Sequence, residues 1–234
     1  MSTAQIVKFS KGSLPNRDAL NAALDAYRPG HALPRAFYKD PEIFQYDLRH
    51  FVMAHWHCAG HASMVQKPGD YFTVEIGGES IIIVRGQDEQ IRALLNVCRH
   101  RGSRVCNEAH GSAKNGLFVC PYHAWTYDTS GALQRARLMP EDFDRSEYGL
   151  KHVPLRVCEG VIFITYADPA LDFRHVEASF GRSAKVYGWA NAKVAVRKMF
   201  MINANWKVVS ENYQECYHCG PAHQEYARRH VFAR

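Results

Sequence analysis

The hydrophobic pattern changes period along the chain. A helix is expected over residues 17–27, closed by Pro29-Gly30. Asp40-Pro41-Glu42 reads as an N-cap, a first-turn proline and an acidic first turn. The helix behind it is expected to bury Ile43, Phe44, Leu48, Phe51 and Val52. From Tyr71 the period becomes two, with Phe72, Val74 and Ile76 alternating against Tyr71, Thr73 and Glu75. Gly77-Gly78 then separates this run from a second one over residues 79–85. Two glycines between strand-like runs predict a hairpin, because a type I′ turn needs positive φ at both central residues. Gly86 to Glu89 predicts another turn, and residues 90–97 a third strand. Shorter strands are expected at 117–119, 124–127 and 161–166, with Asp128-Thr129-Ser130-Gly131 as a connecting turn. Beyond Asp168 the pattern is mixed. Residues 194–202 read as a strand and 206–218 as a helix, which Gly220-Pro221 should end or kink.

These elements predict an α+β chain in three parts: an N-terminal helical segment (1–49), a small antiparallel all-β domain (50–160), and a mixed segment (161–234). Composition is that of a globular protein, with 47% hydrophobic and 22% charged residues among 234. The net charge of +6 is scattered, and no block of like charge suggests a nucleic-acid partner. The opening MSTAQIVKFSKGS lacks the apolar stretch of a secretory signal. The longest clearly apolar run, around residues 161–167, is too short to cross a bilayer. No membrane association and a cytoplasmic location are therefore expected. In such a reducing compartment, seven cysteines point to metal ligands or buried thiols rather than to a disulfide framework.

The chemistry concentrates at two places. Cys98-Arg99-His100 and Cys120-Pro121-Tyr122-His123 form a C-x-H … C-x-x-H pair with nineteen residues between His100 and Cys120. Each half follows an expected strand, so two loops at strand ends could face each other across a β-scaffold. A Rieske [2Fe–2S] centre wants this set, two thiolates on one iron and two imidazoles on the other. Tetrahedral zinc also accepts two Cys and two His, although zinc fingers usually group like residues. Chance clustering among thirteen histidines and seven cysteines is the remaining alternative. The second place is Glu211-Asn212-Tyr213-Gln214-Glu215-Cys216-Tyr217-His218, followed by His223. Histidines five apart lie about 140° apart on a regular helix. Gly220-Pro221 would have to swing His223 back toward His218. On one continuous helix Glu211, Glu215 and His218 would share a stripe.

CRHRG and CPYHAWTYDTSG resemble the Rieske segment of the large (α) subunits of Rieske non-haem iron oxygenases. They look less like respiratory Rieske proteins, which carry an extra cysteine in each loop where Ser103 and Tyr122 stand here. ENYQECYH and His223 match the same oxygenases' E-N-x-x-[DE]-x-Y-H-x₄-H segment. The resemblance runs from about residue 35 to the end. It implies a [2Fe–2S] cluster on Cys98, His100, Cys120 and His123, and a mononuclear Fe(II) on His218 and His223. It also implies that Glu215 links that iron to a Rieske histidine of a neighbouring subunit. A reductase or ferredoxin as electron donor, O₂, a small organic substrate and a homotrimer are implied as well. The run ENYQECYHC resembles the branch acting on quaternary ammonium compounds by N-methyl hydroxylation and demethylation; an aromatic-ring hydroxylating enzyme is the alternative.

One feature departs from the family. Non-haem iron sites need two histidines and a carboxylate, and the family's carboxylate lies more than about a hundred residues beyond its second histidine. This chain ends eleven residues after His223. A fragment is therefore expected, with the all-β Rieske domain complete and the helix-grip catalytic domain only begun. Two other classes stay open: a Rieske electron carrier with an extension, and a zinc-binding interaction module. Cys216-x-x-Cys219, Cys58, Cys106 and Cys158 read as buried thiols, and His55, His57 and His61 as structural. Arg99 and Arg101 flank the first site, as surface charge or as groups that raise a cluster's potential or meet an acidic donor.

Overall fold

The computed structural model describes residues 17–229; the opening segment read for a signal lies outside them. The described helices are α1 (Arg17–Asp25), α2 (Ala36–Lys39), α3 (Pro41–Asp47), α4 (Arg174–Val176), α5 (Arg182–Val186), α6 (Trp206–Gln214), α7 (Cys219–Ala222) and α8 (Gln224–Arg229). The strands are β1 (His57–His61), β2 (Asp70–Ile76), β3 (Glu79–Arg85), β4 (Ile91–Leu95), β5 (His110–Ser112) and β6 (Leu117–Val119). They continue with β7 (Thr126–Asp128), β8 (Leu133–Arg135), β9 (His152–Val153), β10 (Leu155–Cys158) and β11 (Val161–Ile164). The chain divides into two compact units. One is Leu48–Arg197; the other combines residues 17–47 with 198–229.

The first unit holds every described strand, in three antiparallel sheets ordered β1-β11-β10, β5-β2-β3-β4-β9 and β6-β7-β8. The β2–β3 hairpin closes where the glycine pair predicts, with Ile76 opposite Glu79 and φ of +64° and +87° at Gly77 and Gly78. Strand β3 explains the layering. Its run Ser80–Val84 is buried throughout, so both faces must be covered. Ile81 and Ile83 point into one core with Ala59, Phe72, Ile162 and Ile164 from the β1-β11-β10 side. Ile82 and Val84 point into a second core with Phe118, Trp125, Tyr127 and Leu133 from the β6-β7-β8 side. The five-stranded sheet is thus the middle layer. Fully burying each such aliphatic side chain is worth roughly 1.5–3 kcal/mol. The second core also contains Cys98 and Cys120.

In the second unit Asp40 caps α3 as its sequence predicts, Oδ1 accepting from the N–H groups of Glu42 (2.8 Å) and Ile43 (3.3 Å). Ala23, Phe37 and Ile43 form the small core under these helices. Lys207 on α6 makes an ion pair with the half-buried Asp47 carboxylate. Trp206 Nε1 donates to the same carboxylate at 3.3 Å.

Three expectations need correction. Phe51 is exposed, because the chain passes from α3 into a π-turn over Leu48–Val52. The five-residue hydrogen bond from Met53 N–H to Leu48 O rotates Phe51 off the buried stripe. Residues 194–202 form no strand: among the described residues the run has no ladder partner, and Val196, Met199, Phe200 and Met201 are exposed. Finally, α6 stops at Gln214, and Glu215 is extended (φ −111°, ψ 139°). The chain therefore breaks before Cys216 rather than at Gly220-Pro221, which lie inside the short turn of α7. A proline in a first helical turn removes no hydrogen bond the helix needs.

Candidate metal centres

The two cysteine–histidine loops follow β4 and β6, and their backbones close in the same way. Cys98 O accepts from Gly102 N–H at 3.0 Å, and Cys98 N–H donates to Ser103 O at 2.8 Å. In the other loop Cys120 O accepts from Ala124 N–H at 3.0 Å, and Cys120 N–H donates to Trp125 O at 2.8 Å. Both loops turn through a left-handed residue at the same offset from the cysteine, Gly102 (φ +73°) and Ala124 (φ +57°). Glycine takes this conformation without cost, whereas an alanine is strained. Each cysteine is thereby anchored at the loop base and each histidine carried to the tip.

The structure pairs the two histidines and buries the two cysteines of these loops. Cys98 and Cys120 are buried. The His100 and His123 ring centroids lie 4.7 Å apart at 74°. Trp125, itself buried, stacks on His100 at 4.9 Å and 11°. His100 Nδ1 is buried and has no hydrogen-bond partner. Buried polar atoms are nearly always satisfied, and an orphan in a native structure marks a strained or ligand-binding position. Burial, then His123 and Arg101, hold the His100 imidazole below its ordinary range, which favours the neutral form that can donate a lone pair. Burial also pushes the Cys98 thiol up; the Tyr127 hydroxyl and a His100 backbone contact pull it down, and the Cys120 sulfur raises it again. Two buried sulfurs side by side are poor company as free thiolates and good company for a cation. Among the described residues no three His, Cys, Asp or Glu side chains converge on a single point. Tetrahedral zinc needs four donors around one ion, while a Rieske centre spreads two pairs over two irons bridged by sulfide. The donor set and its spread fit the [2Fe–2S] cluster.

Residues outside the motif complete the site. Tyr127 is fully buried; its hydroxyl accepts from Arg99 N–H at 3.0 Å and donates to Cys98 Sγ at 3.2 Å. Asn96, also fully buried, ties the foot of the first loop. Its Oδ1 accepts from Val105 and Cys106 N–H (3.0 and 2.8 Å), and its Nδ2 donates to Ser80 Oγ and Cys106 O (3.0 and 2.7 Å). Tyr127 lies within the CPYHAWTYDTSG segment but was not singled out there, and Asn96 lies outside both motifs. Tyr127 sits at an alternating strand position, and Asn96 was legible only as a polar residue in an apolar run. Arg99 and Arg101 are exposed beside the loops.

At the second place, Glu215 and His218 do not share a helix face, because α6 has ended. Glu215 instead folds over the turn, its Oε2 accepting from Tyr217 N–H at 2.7 Å and its Oε1 2.5 Å from His218 Nδ1. The His218 contact, chiefly, holds the Glu215 carboxyl below its usual range. A proton on Nδ1 leaves the Nε2 lone pair for a metal. The His218 and His223 rings stand 5.4 Å apart. Two imidazoles, one of them oriented by a carboxylate, suit two positions of a mononuclear iron; among the described residues no third, acidic side chain joins them. Of the remaining candidates, Cys58 and Cys216 are exposed rather than buried. His57 and His61 have structural partners, Val52 O and Ser63 Oγ.

A β-scaffold presenting paired Cys/His loops, followed by a Glu-oriented histidine pair, is the arrangement that the resemblance to Rieske oxygenases implies. Residues 55–154 match the Rieske [2Fe-2S] domain, and residues 179–233 the catalytic domain of the ring hydroxylating alpha subunit. Together the two matches take in most of the chain, which is similar to the N-terminal portion of Rieske non-haem iron oxygenase α subunits. It is 42% identical to the glycine betaine monooxygenase oxygenase subunit of Chromohalobacter salexigens over 212 residues, 89% of this chain and 47% of that protein. It is 38% identical to the carnitine monooxygenase oxygenase subunit of Acinetobacter baumannii over 200 residues, 83% of this chain and 53% of the relative. The crystal structure of the quaternary ammonium Rieske monooxygenase CntA in complex with L-carnitine superposes with a TM-score of 0.76 at 34% identity, covering 86% of this chain and 58% of that one. The chain thus spans about half the length of the curated relatives it matches. Among the described residues no helix is long and apolar enough to cross a membrane.

Proposed function

We propose that this chain is the electron-receiving half of an oxygenase α subunit that hydroxylates, and thereby N-demethylates, a quaternary ammonium compound. Cys98 and Cys120 would hold one iron of the cluster and His100 and His123 the other; His218 and His223 would hold the mononuclear Fe(II). Bound there, these groups supply one-electron transfer and O₂ activation. The protein's own residues set the conditions. Tyr127 orients Cys98 and Trp125 holds the His100 ring in place. Glu215 fixes the tautomer of His218 and, as its family resemblance implies, connects to the neighbouring subunit's cluster in a homotrimer. The exposed Arg99 and Arg101 offer a landing site for an acidic ferredoxin or reductase.

The observation that carries this reading is the pairing of His100 with His123, ring centroids 4.7 Å apart, on loops that also bury Cys98 and Cys120, with His100 Nδ1 buried and partnerless. The names of the relatives support the substrate class. Metal and acid-labile sulfide analysis of the anaerobically purified chain tests it. Two sulfides and three irons per chain are expected, falling to two irons in His218→Ala. Two irons in both proteins would leave the cluster but overturn an iron site on His218 and His223 in this chain, and zinc without sulfide would overturn the reading.

A further inference from the structure

The Cys216-x-x-Cys219 pair takes no part in the function proposed above, yet it brackets a proposed iron ligand. Because α6 ends at Gln214, Cys216 to Cys219 form a turn closed by Cys219 N–H donating to Cys216 O at 3.0 Å. Such a turn brings its first and last Cα atoms within about 7 Å, and disulfides bridge Cα separations of about 4.4–6.8 Å. A regular helix would have held the two residues less adaptably. Cys216 is exposed and reachable by a reagent, whereas Cys219 is buried behind it. On its other side Cys219 Sγ lies 4.0 Å from His218 Nε2, the nitrogen that Glu215 leaves free.

We propose that Cys216 and Cys219 are a redox-active dithiol whose oxidation to a disulfide weakens metal binding at His218. The oxidant is a low-molecular-weight disulfide. The Cys216 thiolate attacks one of its sulfurs, the S–S bond breaks, and one small thiol leaves with a proton. Cys219 then attacks the Cys216 sulfur of the mixed disulfide, and the second small thiol leaves. Two electrons pass from the two cysteines to the reagent, and two protons end on the released thiols. The new bond draws Cys219 Sγ toward Cys216 and tightens the turn that carries His218. The spacing of His218 from His223 changes with it. The exposed partner attacks and the buried one resolves, an order that the burial of the two residues dictates.

The metal-affinity part rests on the His218/His223 reading; the dithiol chemistry does not. The whole chain, with its cluster in place, is equilibrated with oxidised and reduced glutathione, alkylated, digested and analysed by mass spectrometry. Cobalt(II) binding is then followed by its visible absorption in both forms. A Cys216–Cys219 disulfide reversible by dithiothreitol is expected, with cobalt(II) bound about tenfold more weakly after oxidation. Cys216→Ser should bind cobalt(II) like the reduced protein and ignore the glutathione ratio. A stable mixed disulfide or no oxidation at all would overturn the proposal. So would a disulfide with unchanged cobalt(II) affinity. If His218→Ala leaves cobalt(II) binding intact in the reduced protein, the iron-site reading fails instead, while the mass spectrum still reports on the dithiol.

Discussion

Removing the Tyr127 hydroxyl isolates one term in the electronics of the first site. In Tyr127→Phe the ring still fills its fully buried position, but Cys98 Sγ loses the donor 3.2 Å away. A reduced cluster carries one more negative charge, so this hydrogen bond is stronger in the reduced state and raises the potential. Hydrogen bonds to charged groups are worth about 1.5–3 kcal/mol. If about a third to a half of that differs between the two oxidation states, the differential is about 1 kcal/mol. For a one-electron couple, about 1.4 kcal/mol corresponds to about 59 mV, so the potential should fall by about 40 mV. The same substitution leaves Arg99 N–H without its acceptor at 3.0 Å, which should cost about 1–3 kcal/mol of stability. A redox titration followed by circular dichroism or electron paramagnetic resonance measures the first effect, and denaturant unfolding the second. An unchanged or higher potential, with the cluster fully loaded, would refute the role given to Tyr127.

Further outcomes follow from the same geometry. Asn96→Leu strips partners from three backbone groups at the foot of the first loop; a loss of about 3–5 kcal/mol and poor cluster retention are expected in chemical unfolding and sulfide analysis. Ala124→Gly relieves the left-handed strain at φ +57°, offset by a more flexible unfolded chain. A net gain of about 0.5 kcal/mol should appear as a small rise in Tm; a fall would show that the methyl group packs favourably there. Glu215 should titrate below the ordinary carboxylate range in carbon-13 NMR, and nearer that range in His218→Ala, because His218 is the main cause of the shift. A lowered folded value means the Glu215 contact stabilises the turn above the usual carboxylate pKa. That contribution is lost as the pH falls through the lowered value.

The hairpin, the Asp40 cap and the paired Cys/His loops proposed to hold the cluster were legible in the sequence because each rests on local chemistry. A type I′ turn needs its glycines, a cap needs its carboxylate, and metal loops repeat their ligands at fixed spacing. Less legible were the features set by distant partners. The run at 194–202 is rich in apolar residues like a strand, but such a run shows only what could pair, and no described neighbour pairs with it. The stripe of Glu211, Glu215 and His218 presumed a helix that in fact stops at Gln214. Glu215 reaches His218 all the same, through a turn rather than along a face. Tyr127 and Asn96 act through hydrogen bonds to residues nine to twenty-nine positions away, a distance that no short motif records.

Pulsed electron paramagnetic resonance on the anaerobically reduced chain addresses the ligand set most directly. If His100 and His123 share one iron and Cys98 and Cys120 the other, two strongly coupled nitrogens should appear, and His123→Cys should leave one. A paramagnetic cluster without nitrogen coupling, or a colourless chain that holds zinc, would contradict it.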